Sequence, residues 1–279
     1  MRRIAILCTV CFLCCPSSPC VAQDGFFTDW LNRAAATQAG EPAWISPLVT
    51  TSPRLKQEFR YDVERQTHTN GATTDNFGLS KGLEIIPERN LAVTLALPPF
   101  IVNNPGTRDG FGDWQFLVKY RIAAENEEHR NYILTAFYQM SLPTGQYAQG
   151  ALSPIITPTL GYGKGFGNFV EQGTLGISLP TSHTMVTGRN LVWNNAFQGR
   201  VFKKFWPEAE VNLTRYYEGR YAGRTSVYLT PGLVIGRFRL KGRLALTFGA
   251  GFQTAMTSFH PTNHNPVFSI RFPLPVPGE

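Results

Sequence analysis

From residue 54 to residue 272, apolar side chains return at every second position, and no stretch sustains the spacing of a helix. That period describes strands with one apolar and one polar face. RLKQEFRYDVE sets Leu55, Phe59, Tyr61 and Val63 against Lys56, Glu58, Arg60, Asp62 and Glu64. NLAVTLAL sets Leu91, Val93, Leu95 and Leu97 against Ala92, Thr94 and Ala96. GFGDWQFLVKYRI sets Trp114, Phe116, Val118, Tyr120 and Ile122 against Gln115, Lys119 and Arg121. RLKGRLALTFGAGF reads as one strand, with Leu240, Leu244, Leu246, Phe248 and Phe252 opposite Arg239, Lys241, Arg243, Thr247 and Gly251. PVFSIRF closes the series with Phe268, Ile270 and Phe272 opposite Ser269 and Arg271.

The polar faces decide which side is inside. A row of lysine and arginine in a soluble core costs several kcal/mol per ion unless each is paired. The inverted arrangement, apolar face to lipid and polar face to a wet lumen, removes that cost and is the pattern of outer-membrane barrels. The expected fold is all-β: a transmembrane antiparallel up-and-down β-barrel of about twelve strands, an even number as such barrels require.

The connections sort by length. Long polar ones are ERQTHTNGATTDN, PPFIVNNPGTRDGFGD, LPTGQYAQGALSP, LPTSHTMVTGRN, YEGRYAGRT and TSFHPTNHNP. Short ones are PERN, ENEEHR, KGFGN, KKFWPE and a GRF turn at Gly236. Membrane barrels alternate short periplasmic turns with long external loops, whereas a soluble sandwich has no reason to. Aromatics make up 13% of the chain and gather near strand ends, as interfacial girdles do: Phe100, Phe111, Trp114, Tyr162, Phe166, Phe205, Trp206, Tyr216 and Tyr217.

The N-terminus reads differently. Arg2 and Arg3, the apolar run Ile4–Cys15 and the small-residue site Cys20-Val21-Ala22 form a secretory signal peptide over residues 1–22. All five cysteines fall inside it, so the remaining chain has no disulfide framework, thiolate metal site or cysteine nucleophile. Residues 23–50 are expected to form a periplasmic arm or small plug, with a short helix capped by Asp24 and carrying Phe27, Trp30, Leu31 and Ala34 on one side, before Pro42 and Pro47; a disordered terminus is the alternative. Residues 51–279 form the barrel. Beyond residue 22 no run approaches the ~20 apolar residues of a spanning helix. The formal net charge of +7 is spread along the chain, which argues against a nucleic-acid partner. The partners expected are outer-membrane lipid and small-molecule solutes.

The stretch GFGDWQFLVKYRI, followed by YILTAFYQMSLPTG, PTLGYGKGFG and a second SLPT at 178–181, resembles the Gram-negative outer-membrane family labelled "MetA-pathway of phenol degradation". The matching residues are Gly110, Gly112, Asp113, Lys119, Tyr120, Arg121, Leu142, Pro143, Thr144 and Gly145. The resemblance covers roughly residues 50–272 and implies an outer-membrane transporter linked to aromatic compounds, with no catalytic residues to carry over. The chain departs from the pattern at its end, where PLPVPGE follows Phe272.

Lumen-lining candidates are Lys119, Arg121, Lys241, Arg243 and Arg271, with Arg60, Asp62 and Glu210 as partners. Such a ladder serves either an anion-attracting pore or a network of ion pairs that fills the barrel. Asp113 reads as a turn residue. No cofactor or metal is expected. His68 and His129 are isolated, and His260 and His264 are separated by a helix-breaking Pro261. Ser182-His183 and Ser258-His260 fall in loops and form no triad pattern, so an enzyme is not expected. Passage of small molecules leads, a closed structural or surface-binding barrel is the alternative, and a barrel hydrolase comes third.

Overall fold

The computed structural model describes residues 23–242 and 244–274. The signal-peptide reading, Arg243 and the end of the C-terminal tail lie outside these residues. Helix α1 (Gln23–Ala39) comes first, followed by an irregular stretch, residues 40–57. Fifteen hydrogen-bonded segments then form one antiparallel sheet that closes on itself, β1 pairing with β15 through Glu58↔Pro273 to Thr67↔His264. They are β1 (Glu58–His68), β2 (Thr73–Gly78), β3 (Gly82–Glu88), β4 (Leu91–Ala96), β5 (Phe100–Asn104), β6 (Gly110–Phe111), β7 (Trp114–Glu125), β8 (Tyr132–Leu142), β9 (Ile155–Phe166), β10 (Phe169–Pro180), β11 (Asn190–Gly199), β12 (Phe205–Tyr216), β13 (Thr225–Arg239), β14 (Ala245–Ala255) and β15 (Thr262–Pro273).

Three crossings are broken in the middle. β2 continues β3, β4 continues into β5, and β6 continues into β7, so the wall has twelve strands. The breaks have local causes. Leu79 and Ser80 take φ of 47° and 51°, a left-handed conformation that ends β2. Pro98 and Pro99 lack N–H donors for the ladder between β4 and β5. Two bonds stitch across the breaks, Leu97 N to Lys81 O and Gly112 N to Pro99 O, both 2.8 Å.

The two faces of each strand sort as the alternation requires. Trp114, Tyr120 and Ile122 of β7 are exposed on the outside, and Lys119 is 1% exposed on the inside. Leu83, Leu95, Tyr138, Leu160, Ile177, Phe248 and Phe268 extend the exposed apolar exterior around the wall. A surface this apolar over its whole circumference suits lipid and not water.

Both ends of the barrel wall and the connections 89–90, 126–131, 167–168, 200–204 and 240–244 lie at one rim, the turn end. Connections 69–72, 105–109, 143–154, 181–189, 217–224 and 256–261 lie at the other, the loop end. Several expectations change here. The first two long connections contain strand, because the polar residues Thr73–Asn76 still pair with Ile101–Asn104. RLKGRLALTFGAGF is not one strand: the chain turns at 240–244, and Gly236 sits inside β13 at a register shift. Among the girdle residues, Trp206 is 5% exposed and faces inward. Tyr216 packs on Tyr221 and Phe259 at the loop end, with ring centroids 5.4 and 5.8 Å away.

Helix α1 sits at the turn end. Trp30 Nε1 donates to Ile86 O (2.7 Å) and Thr37 Oγ1 to Arg89 O (2.9 Å). Ala34 packs with Leu55, Ile86 and Ala92. Trp30, Ala34 and Thr37 follow helical spacing, so one stripe is buried. Phe27, expected on that stripe, is 56% exposed beside Phe26, and Asp24 lies within the helix instead of capping it.

Candidate functional site: the barrel lumen

The chain from 40 to 57 enters the lumen from the turn end and fills it. An irregular segment placed there must find partners for every buried N–H and C=O. The wall supplies them from side chains. Glu208 and Glu210, two residues apart on β12 and therefore on one face, accept from three consecutive amides: Leu48 N to Glu208 (2.9 Å), and Val49 N (2.8 Å) and Thr50 N (2.6 Å) to Glu210. The carbonyls of the same turn go to arginines on β1 and β15. Arg271 donates to Pro47 O (2.9 Å) and Ser46 O, and Arg60 to Pro47 O (3.1 Å) and Leu48 O. Acids hold the amide side of the plug and guanidinium groups hold the carbonyl side.

The rest of the segment is held in the same manner. Gln172 Nε2 donates to Ile45 O (2.8 Å), and Ser52 Oγ donates to Gln172 Oε1 (2.8 Å). Thr135 Oγ1 donates to Pro53 O (2.7 Å), and Lys119 Nζ to Arg54 O (3.2 Å). Arg237 reaches Ala43 O and Trp44 O, both at 3.0 Å. Charge is balanced inside: Lys119–Glu84 at 2.9 Å, Lys56–Glu58 at 2.7 Å, Arg60–Asp62 at 2.6 Å and Arg54–Glu41 at 3.3 Å.

Apolar packing completes the plug. Trp44, Ile45 and Leu48 form a buried cluster with Ile133, Val170, Trp206 and Val234. Leu48 is seated against inward-facing glycines. A Cβ at Gly232 or Gly249 would lie 2.5 Å from a Leu48 methyl, and one at Gly163 would lie 2.6 Å from the Trp44 ring. These wall positions have no room for a side chain while the plug is docked.

The lumen nearer the loop end is lined by uncharged groups apart from the buried Glu64, which accepts from Gln66 Nε2 (2.8 Å). Asn265 Nδ2 donates to Gln253 Oε1 (2.8 Å), Gln253 Nε2 to Asn212 Oδ1 (3.2 Å), Asn212 Nδ2 to Asn194 Oδ1 (3.0 Å) and Asn194 Nδ2 to Thr174 Oγ1 (3.3 Å). Gln139 donates to Gln115 (2.8 Å) across β8 and β7. Beside the plug, a cavity of ≈ 250 Å³ opens between residues 51–60 and the wall of β3, β4, β7 and β8.

The structure brings together Arg60, Asp62, Lys119, Glu210 and Arg271 around the plug, all buried. Arg121 reaches it at the turn end, donating to Thr37 O (2.7 Å) and pairing with Glu41 (3.5 Å). Lys241 does not belong with them. It is exposed in the β13–β14 turn, because the strand expected to carry it inward ends at Arg239. Arg243, expected beside it, lies outside the described residues. The basic ladder is therefore not a row facing open water: its inward members bind plug carbonyls and wall carboxylates. Glu84, Glu208, Gln172, Lys56 and Lys81 also face this interior. The signal for Glu208 was available as WPEAEVN, where Trp206, Glu208, Glu210 and Asn212 alternate with Pro207, Ala209 and Val211.

Of the residues carrying the family resemblance, Gly110, Gly112, Asp113, Leu142, Pro143, Thr144 and Gly145 meet at the loop end, whereas Lys119, Tyr120 and Arg121 lie further along β7 toward the turn end. Asp113 Oδ1 accepts from Gly145 N and Oδ2 from Ala151 N, each at 2.8 Å. Thr144 Oγ1 accepts from Trp114 N (2.9 Å). Gly110 approaches Tyr147, and Gly112 packs on Pro99. Tyr120 faces outward, while Leu142 and Pro143 end β8 and begin the loop. Asp113 pins the 143–154 loop to β7. Ser182 Oγ and His183 Nδ1 lie 3.0 Å apart in an exposed loop, and His260 bonds Thr257 O and Asn263. Among the described residues, no group of three or more His, Asp or Glu side chains is placed to hold a metal.

Two solved structures share the architecture. The NanC porin covers 78% of this chain and 98% of its own, at 8% identity and a TM-score of 0.50. An outer membrane channel from Pseudomonas putida F1 covers 83% and 99%, at 13% identity and a TM-score of 0.54. At such identities the likeness is one of fold: a closed twelve-stranded barrel of the outer-membrane class. No family model and no curated protein matches the chain.

Proposed function

We propose that the protein is a Gram-negative outer-membrane channel for small molecules whose lumen is narrowed by its own N-terminal segment. The observation that carries this reading is the polar cavity of ≈ 250 Å³ running beside the plug, below an amide- and hydroxyl-lined vestibule. A purely structural barrel has no use for an unfilled space lined by polar groups next to its filling. Exposed apolar residues on the outer wall make outer-membrane lipid the surrounding partner, and the two similar structures described above are a porin and an outer membrane channel. The resemblance to the phenol-degradation family adds aromatic compounds as the solute class. The plug is held through side chain–backbone bonds that individually contribute little net, about 0.5–1.5 kcal/mol each, and more where charged. An element held that way can leave without unfolding the wall.

The closed-barrel reading rests on one observation: every inward charge named above except Lys81 and Glu64 is already spent on the plug or on an ion pair. Solute uptake into proteoliposomes decides between them. The expected result is uptake of phenol, benzoate or arabinose by the wild type, increased by Glu210→Ala. Folded protein that admits none of these solutes, with or without the substitution, overturns the channel.

A further inference from the structure

The ≈ 250 Å³ cavity has one cation with nothing to bind. Lys56, Arg60, Lys81 and Lys119 line it, with Glu58 and Glu84. Lys56 pairs with Glu58, Lys119 with Glu84, and Arg60 with Asp62. Lys81 Nζ makes no hydrogen bond or ion pair with any described residue. Two acids act on it without reaching it as an ion pair: Asp62, held by both oxygens on Arg60 and by Ser269 (2.6 Å), and Glu64, which accepts from Gln66 (2.8 Å). Arg60, Lys56 and Arg271 add further positive field at Lys81.

Three other features converge on this ammonium. Thr94 Oγ1 lines the same cavity, is buried, and has no hydrogen-bond partner. Leu79 and Ser80, directly before Lys81, are both left-handed, a conformation costly for residues with a Cβ and retained where the surroundings impose it. That kink, closed by Lys81 N to Gly78 O (2.8 Å), ends β2 and sets Lys81 in the cavity lining. Finally, Leu79, Ala96 and Leu117 give the cavity an apolar side next to its donors Gln115 and Gln139.

We propose that this cavity is a binding site for a small organic monocarboxylate, its carboxylate on Lys81 and the Thr94 hydroxyl, and its hydrocarbon part against Leu79 and Leu117. One unpaired positive charge calls for one negative charge, and the apolar side calls for a carbon skeleton in place of a hydrated inorganic ion. The inference deepens the channel reading by naming a solute class, but binding can be measured where no passage occurs. The experiment is equilibrium binding of benzoate, phenol and sulfate to the folded full chain in detergent micelles. Benzoate is expected to bind saturably and at least tenfold tighter than phenol, its uncharged counterpart, with sulfate a poor competitor. Lys81→Gln abolishes the preference for benzoate and Lys81→Arg keeps it. Phenol binding as well as benzoate, or sulfate competing as well as benzoate, overturns the site in the wild type alone. Unchanged benzoate affinity in folded Lys81→Gln overturns the role of Lys81. Benzoate bound in micelles without uptake in liposomes refutes the channel and leaves the site standing.

Discussion

Removing the Glu210 carboxylate should release the plug and leave the wall intact. Glu210 accepts Val49 N and Thr50 N at 2.8 and 2.6 Å, and Thr50 is 1% exposed. Glu210→Ala leaves two amides without an acceptor in a packed interior, and each such group costs about 1–3 kcal/mol. The docked state then loses about 2–6 kcal/mol against the undocked one, where water satisfies both amides. At tenfold per 1.4 kcal/mol, the undocked population rises roughly 30-fold to more than 10⁴-fold. The ladder of β12 with β11 and β13 is made by backbone and does not depend on this side chain. The assay is limited proteolysis of folded protein in micelles, scoring cleavage at Arg54 and Lys56, since cutting of a transiently open segment tracks its open population. Heat-modifiable gel migration reports the wall separately. Faster cleavage with unchanged migration is expected, with Glu210→Gln, which keeps one acceptor oxygen, in between. Wild-type resistance in Glu210→Ala would refute the reasoning.

Three further outcomes follow from the same geometry. Gly249→Val places atoms 2.5 Å from a Leu48 methyl, so overpacking of about 1–3 kcal/mol should loosen the plug and quicken the same proteolysis. Asp113→Ala removes the acceptor of Gly145 N and Ala151 N, and the 143–154 loop should become cleavable by external protease while the barrel stays heat-modifiable. Lys241→Glu alters an exposed turn residue that does not line the lumen, so solute uptake and its charge preference should match wild type.

The wall was largely legible in the sequence and the interior was not. Period two placed Trp114, Tyr120 and Ile122 outside and Lys119 inside, because lipid and lumen act on alternate residues of each strand. The 239–252 stretch misled because leucine and basic residues keep alternating through 240–244. Alternation alone does not see a turn formed by Gly242, whose φ is 61°. That slip set Lys241 in the lumen. Trp206 was misread as a girdle residue because a tryptophan at a strand end looks the same whether it meets the interface or a plug. The basic ladder was seen residue by residue, as Arg60, Lys119, Arg121 and Arg271. Its occupant was harder to see: residues 40–57 have no period, and their partners Glu208 and Arg271 lie 160 and 224 positions away from Leu48 and Pro47. Lys81 carried no sequence signal at all, since its meaning depends on a kink and on neighbours that pair with each other.

The most direct test of the account is a cross-link between plug and wall. Every cysteine of the chain lies within residues 8–20, so a Leu48→Cys, Gly249→Cys pair in the chain from residue 23 onward reports on that contact alone. The account predicts rapid disulfide formation in folded protein in membranes, loss of solute uptake on oxidation and its return on reduction. A folded barrel in which the two thiols stay free would contradict it.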